Sequence, residues 1–514
     1  MTEAADLILR NAEVHTLAEP DETHEALAVR NGRIVRVGKR YEVDFLDGVE
    51  TEVIDCAGRV VLPGFVDAHT HMETLGRYLI HADLSGASGP EECIERLRAS
   101  ADSEGENGAE SEWILGFGYD ESGWDEADYL TNADLDRVSD SRPVAAFRED
   151  MHVASLNTVA RDRYEDDMPS ADVRGEGVIV EAAVDVVYEA IAPGPEETRE
   201  LLVAAGEYAT ARGVTGVHDM VRSSHAPRVY RELDSEGALP LRVRLNYWSD
   251  HLEAVSEAGL RTNHGSEFVR TGAIKTYTDG SFGGRTAKLA EPYADGDGNG
   301  ETGQWVVPPE ELNDLVRRAD GEGFQLTAHA IGDRAIEEVL DAFGATDDPG
   351  GARHRIEHAE LLTDEQIERF ADSGIVASVQ PNFLKWADEG GLYDARLGEA
   401  RRKRTNRYRD LLDAGATLAF GSDCMPLDPL LGVHHAVTAP AESQRLTVTE
   451  ALRAYTSGAA YAGFDEERLG TGEPGKLADL VVLEESPWDR PNSIRDIEVA
   501  KTLVGGEVVY DATG

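Results

Sequence analysis

Lysine is scarce in this chain of 514 residues, occurring at positions 39, 275, 288, 385, 403, 476 and 501, and arginine supplies the rest of the 49 basic side chains. Cysteine is scarcer still. Cys56, Cys93 and Cys424 are too few and too scattered for a disulfide framework or a cysteine-built zinc module, which fits a reducing compartment. No stretch approaches the ~18 consecutive apolar residues that a membrane span needs. No apolar run follows Met1 either, so the sequence predicts neither an anchor nor a signal peptide, and a cytoplasmic location. Positive charge is short overall: 99 acidic residues leave a net charge of −50. Such a chain repels phosphate backbones and anionic lipid, which argues against nucleic-acid and membrane partners. Acid excess can mark disorder, but apolar runs recur throughout and hydrophobic residues make up 41%, enough for a sizeable core. The excess instead reads as a halophilic solvation strategy, because high salt screens the self-repulsion.

The two ends share one texture. Short alternating strands are expected at 7–9, 14–17, 26–29, 34–37 and 53–54, with the hairpin signal Asn31-Gly32 among them. The same pattern returns over 477–509, so residues 1–60 plus 465–514 are predicted to form one small β-sandwich built from both termini. Between them lies 61–464, where eight apolar strands alternate with helical segments. The strands are expected at 60–62 running into 67–71, then 214–218, 241–247, 271–276, 325–329, 355–358, 375–380 and 418–422. Helices fall at 310–322, 333–343, 364–373 and 449–462. Eight strand–helix units predict an α/β chain with a (β/α)8 TIM barrel. An open doubly wound sheet would want a glycine-rich nucleotide loop after its first strand, and none is present. The segment 73–212 is too long for a barrel connection and is read as an inserted lid subdomain after strand one. Its cluster Trp113, Phe117, Tyr119 and Trp124 is either the core of that subdomain or an aromatic wall for a substrate.

Five metal-capable side chains sit at strand ends. His69 and His71, two apart, project to one face of their strand. His329, His358 and Asp423 each close a later strand, at the end where barrels of this kind carry their active sites. Neutral imidazole and carboxylate are ligands for Zn²⁺ and similar ions, and a buried aspartate is costly unless paired or coordinated. Lys275 lies inside the strand-like run Gly272-Ala273-Ile274-Lys275-Thr276-Tyr277. It either reaches solvent between helices or loses its proton on burial, and a neutral amine can add CO2 to form a carbamate able to bridge two ions. Arg285 and Asp333, just past strands four and five, are candidates to shape the site or to make a loop salt bridge. Tyr119 and His152 are candidate substrate contacts from the insertion. His218, beside Asp219 after strand two, is a candidate to touch substrate or to support the ligands. The cluster Arg401-Arg402-Lys403-Arg404 is read as a solvated helix face.

Pro63-Gly64-Phe65-Val66-Asp67-Ala68-His69-Thr70-His71 resembles the opening motif of the amidohydrolase superfamily. The later motifs narrow the resemblance to the amidohydrolase-3 group, often called YtcJ-like, which includes the N-substituted formamide deformylases. They are Ile274-Lys275-Thr276-Tyr277-Thr278-Asp279-Gly280-Ser281, His329-Ala330-Ile331-Gly332-Asp333-Arg334-Ala335 and Arg353-His354-Arg355-Ile356-Glu357-His358-Ala359, followed by Val379-Gln380-Pro381, Gly421-Ser422-Asp423 and Gly475-Lys476-Leu477-Ala478-Asp479-Leu480. The resemblance spans nearly the whole chain in order. It implies one or two Zn²⁺ ions: His69, His71 and Asp423 around the more buried ion, His329 and His358 around the second, and carbamylated Lys275 bridging them. It further implies a hydrolase acting on the C–N bond of a non-peptide, small-molecule amide, such as an N-acyl or N-formyl amine. A metal-bound hydroxide would attack, with Asp423 as general base and then general acid. A cyclic amide hydrolase or deaminase would use the same site, and a catalytically silent metal-binding regulatory protein is the reading of another class. A homo-oligomer is compatible with the sequence but not specified by it. The charge balance itself is testable: the thermal midpoint should rise steeply with KCl towards molar concentrations, and a melt insensitive to KCl would count against the halophilic reading.

Overall fold

In the computed structural model, which describes residues 3–106, 112–121, 124, 128–149, 153–296 and 300–512, eight parallel strands lie side by side in chain order. They are Phe65–Thr70, Val214–Val221, Arg242–Trp248, Val269–Tyr277, Leu326–Ala330, Arg355–His358, Val376–Val379 and Leu418–Phe420. Nearly every residue in them is buried, as a sheet covered on both faces requires. The gap between the eighth strand and the first is stapled by two backbone bonds. Ser422 and Asp423 donate their N–H groups to the His69 carbonyl at 3.2 and 2.7 Å. The result is a nearly closed (β/α)8 barrel.

The helices expected at 310–322, 333–343 and 364–373 occur as Pro309–Gly321, Asp333–Gly344 and Asp364–Ser373. The last is started by Thr363, whose hydroxyl accepts from the Gln366 N–H while the Gln366 side chain accepts from the Thr363 N–H. The segment 449–462 is broken. A π-turn at Ala454–Gly458 separates Val448–Arg453 from Ala459–Ala462, and a side chain at Gly458 would meet the Leu418 carbonyl at 2.0 Å.

Both chain ends build a second sheet of eight strands. Leu480–Leu483 pairs antiparallel with Val60–Pro63, and Leu7–His15 lies between Val60–Pro63 and Thr23–Arg30. Its first half pairs with Glu52–Asp55 and its second half with Val60–Pro63, and the register breaks between Arg10 and Val14. Leu9, Val14, Leu27, Val61, Leu480, Val482 and Leu503 share one core, so each terminus needs the other. Asn31 and Gly32 adopt φ 50° and 70°, as the hairpin signal demands. The expected run of 60–62 into the first barrel strand does not hold. Val60–Pro63 belongs to the terminal sheet, and Gly64 separates it from the barrel at a point where a Cβ would lie 2.2 Å from Thr215.

Residues 72–205 with 224–229 form a separate compact unit. Its five-stranded sheet runs Val178–Val180, Val153–Leu156, Val144–Arg148, Ile114–Tyr119, Ala82–Asp83, with apolar clusters on both faces. Among the described residues no helix is long and apolar enough to cross a membrane.

Gly421 decides how closely the last barrel strand approaches the first. A Cβ there would sit 2.5 Å from the His69 amide nitrogen and 2.7 Å from its Cβ, while one at Gly344 meets nothing within 4 Å. Gly421→Ala should therefore cost about 1–3 kcal/mol, and Gly344→Ala should be near neutral. Urea unfolding of the two variants separates these outcomes.

Candidate functional site

Strand alternation puts Asp67, His69 and His71 on one parity, and Thr327 and His329 on another strand's inward parity. At the mouth, the His69 and His71 rings lie 5.7 Å apart. His71 Nε2 is 3.4 Å and His69 Nε2 3.6 Å from Asp423 Oδ1. The His358 ring lies 5.0 Å from His69 and 4.5 Å from His329. Ligand atoms of His69, His358 and Asp423 fall within 4.8 Å of one another.

Two of these residues reach the site against the alternation of their strands. Arg355 and Glu357 point into the barrel, so His358 would face the helices if the strand continued. Ala419 packs outward against Ala459 and Ala462, and Asp423 shares its parity. Both residues adopt left-handed backbone, φ 72° at His358 and 55° at Asp423, and the turn swings each side chain into the mouth.

Lys275 is fully buried, and its Nζ has no hydrogen-bond partner among the described residues. Burial brings its ammonium down to about 8, against the opposing pull of the Glu357 and Asp423 carboxylates. Burial, reinforced by the Lys275 charge, holds His69 and His329 at about 3 and His71 at about 4. His358 is held well below its usual value by burial and by its histidine neighbours. All four are neutral imidazoles, the state that ligates metals. Burial raises the Asp423 carboxyl to about 7.

The sequence reading passed over the residues that hold this cluster. Glu357 Oε2 accepts from His69 Nδ1 at 2.6 Å, and its other oxygen accepts from Arg355 Nε at 2.9 Å and from the Thr327 hydroxyl. Burial opposes charge on Glu357, but Arg355 and His69 overcome it and keep the carboxyl ionised. His69 must therefore carry its proton on Nδ1, which leaves the Nε2 lone pair facing Asp423. Arg355 also donates to the Ala68 carbonyl, to Ser378 Oγ at 2.9 Å and to His218 Nδ1 at 2.8 Å. Asp67 Oδ1 accepts from the His69 and Ser422 N–H groups at 3.0 Å each, tying strand one to strand eight. Asp279 accepts from the N–H groups of Lys288, Ile331 and Gly332 at 2.7–3.0 Å, joining the loops after strands four and five. The available signal was Arg355-Ile356-Glu357-His358 itself: two opposite charges on one face of a buried strand.

The remaining candidates lie elsewhere. His218 is buried inside the barrel, where its Nδ1 accepts from Arg355 and joins the network behind the cluster. Arg285 makes a two-toothed ion pair with Asp295 at 2.8 and 3.1 Å. Asp333 starts its helix, accepting from the Ala290 and Arg334 N–H groups at 2.9 and 3.0 Å. Tyr119 is wholly buried in the inserted unit. Gly118, at φ 91°, shifts the register and turns Tyr119 to the face opposite Phe117, where it stacks on Trp124 at 5.8 Å with its hydroxyl 3.2 Å from Ser155 Oγ. His152 lies outside the described residues. The basic cluster is solvated only in part: Lys403 and Arg404 are exposed, but Arg402 is buried on Asp394 and the Ala387 carbonyl, and Arg401 donates to the carbonyls of Glu291 and Pro292.

The mouth has its own aromatic collar. Trp248 lies 5.1 Å from Tyr277, Tyr277 lies 4.5 Å from His329, and Phe383 stacks on His358 at 5.8 Å and contacts Trp386 at 4.9 Å.

The family model for the amidohydrolase family matches residues 52–510. The chain belongs to that family. This amidohydrolase is 32% identical to the YtcJ protein of Bacillus subtilis (strain 168), over 97% of this chain and 98% of the other. It is 28% identical to the N-substituted formamide deformylase of Arthrobacter pascens, over 100% of both. A crystal structure of an uncharacterized metal-dependent hydrolase from Pyrococcus furiosus superposes with a TM-score of 0.80 at 30% identity, covering 94% of this chain and 99% of that one. The protein is an amidohydrolase-family hydrolase.

The donor set fits a metal: neutral imidazoles and a carboxylate converge, and the Lys275 Nζ and His358 Nδ1 atoms are buried without hydrogen-bond partners among the described residues. Removing the carboxylate behind His69 should then loosen the metal. Glu357→Gln is expected to lower divalent-metal affinity about 10–100-fold. Thr327→Val, which deletes one hydrogen bond to the same carboxylate, should do less. Chelator competition on the purified proteins gives both values.

Proposed function

We propose that this amidohydrolase cleaves the C–N bond of a small non-peptide amide, an N-acyl or N-formyl amine, using one or two Zn²⁺ ions. The observation that carries this reading is the buried, unpartnered Lys275 Nζ set among four neutral imidazoles and Asp423 at the C-terminal mouth of the barrel.

His69, His71 and Asp423 would hold the inner ion, His329 and His358 the outer one, and Lys275 would link them. Near neutral pH part of Lys275 is free amine, since burial brings it to about 8. Its nitrogen can bond to the carbon of CO2 and release a proton, giving a carbamate anion whose two oxygens suit a bridging role. Bound there, the metal would polarise the scissile carbonyl and ready a water for attack.

The chain's own groups do the rest. Asp423, raised by burial to about 7, takes a proton from the attacking water on a carboxylate oxygen. It returns that proton to the departing amine nitrogen, so the C–N bond breaks without expelling an amide anion. Glu357 keeps the His69 ring turned with Nε2 towards the site. Trp248, Tyr277, Phe383 and Trp386 offer apolar surface for the group beside the scissile bond. They come from the barrel itself, so the aromatic contact expected from Tyr119 in the insertion is assigned to these residues instead.

A panel of N-formyl and N-acyl amines, cyclic amides and aminopurines, assayed for amine or ammonia release, tests the reading. Asp423→Asn should lower kcat about 10²–10⁴-fold. Lys275→Ala should lose both metal and turnover. Full metal content and rate in Lys275→Ala would overturn the bridging role, and no turnover by metal-loaded wild type on any amide would overturn the amide assignment.

A further inference from the structure

On a surface dominated by acid, one segment of the terminal sheet's outer layer is apolar. The helix Arg40–Val43 and the following turn Asp44–Leu46 pack Val43 and Leu46 inward against Ala5, Ile8, Ala26 and Ala28. Their other side carries Tyr41 at 63% exposure and Phe45 at 82%, and Val49 beyond them is fully exposed. Among the described residues these are the two strongly exposed aromatic side chains, and they lie four residues apart. Exposed Phe and Tyr are costly in water, and an apolar ridge rimmed by charge marks a contact surface.

The order of residues along the ridge is chemically symmetric about Phe45. Four positions before it stands Tyr41 and four after it Val49. Five before stands Arg40 and five after Glu50. A segment with that pattern complements itself when two copies run antiparallel about a two-fold axis, because each contact made by one copy is returned by the other. Its charges also single out a second copy over other occupants. The basic end, Arg36, Lys39 and Arg40, keeps a positive excess over Glu42, which lies 3.6 Å from Arg36, and it and the acidic end, Asp44, Asp47 and Glu50, would attract each other across the axis despite the overall charge of −50. An anionic membrane would be repelled by the acidic end. In the single chain the Arg40 guanidinium pairs with Asp44, 3.4 Å away and exposed, and such a pair contributes little and can be exchanged.

We propose that this chain forms an isologous homodimer through residues 40–50, with Phe45 meeting Phe45 on the axis, Tyr41 facing Val49, and Arg40 facing Glu50 across the interface. The two aromatics can each bury about 150–250 Å², forming a compact apolar centre within the roughly 800 Å² per partner of an ordinary interface. The rim charges set orientation more than strength. The ridge lies in the terminal sheet, and the proposal is independent of the chemistry assigned to the barrel.

Sedimentation velocity of the full chain, at the lowest KCl that keeps it folded, tests the idea. Wild type should show a concentration-dependent dimer, and Phe45→Asp should weaken it at least about tenfold, with circular dichroism and metal content unchanged. Arg40→Glu and Glu50→Arg should each weaken self-association. An equimolar mixture of these two variants should recover dimers, because both rim contacts become opposite-charge pairs in the mixed species alone. A wild type that stays monomeric at every concentration, a Phe45→Asp that dimerises as well as wild type, or a mixture no better than its components would each overturn the proposal.

Discussion

A nearly closed barrel of eight strands has an interior that must be filled, and apolar layers are the usual filling. Here the filling includes Arg355 and Glu357, side by side on one strand and wholly buried. Neither is affordable alone, since an unpaired buried charge costs several kcal/mol. Together they satisfy each other and reach outward to strands one, two, five and seven through Ala68, His218, Thr327 and Ser378. The site rests on this pair. Arg355 is the strongest of the groups that keep Glu357 ionised, and an ionised Glu357 fixes the tautomer of the His69 ring.

The mouth is also built from backbone that ordinary residues avoid. His358 and Asp423 sit in left-handed conformations, and Gly421 lets strand eight approach strand one closely enough for Asp67 to bond both. Such positions cost stability wherever they occur, and they persist where surrounding contacts over-determine them. The clamps are visible: Asp67 holds the two strand ends together, and Asp279 holds the two loops that follow strands four and five.

Much of this architecture was readable from local pattern. Apolar runs of strand length separated by amphipathic helices specify a parallel sheet covered on both faces, and eight such units without a glycine-rich nucleotide loop point to the barrel over the open doubly wound sheet. The Asn31-Gly32 turn and the Thr363–Gln366 cap behave as their chemistry dictates. What local pattern misassigned was membership. Nothing in Val60–Pro63 distinguishes a barrel strand from a terminal-sheet strand, because both are short, apolar and buried. Tyr119 shows the same limit: Gly118 shifts the register by one residue and changes the face its side chain occupies, but apolar clusters cover both faces of that sheet, so it is buried on either.

The amino-acid order alone determined the barrel, the pairing of the two termini and the identity of the six metal-capable side chains, because periodicity and donor chemistry are local properties. Tertiary structure decided the rest. It placed Arg355 behind Glu357 and Glu357 behind His69, bonded His218 to Arg355, Arg285 to Asp295 and Asp333 to the Ala290 N–H, and surrounded the site with Trp248, Tyr277, Phe383 and Trp386. These contacts join residues up to 288 positions apart in the chain. Which side chains become neighbours at that distance is set by barrel closure and by the backbone turns at His358 and Asp423, and neither is encoded in any short stretch.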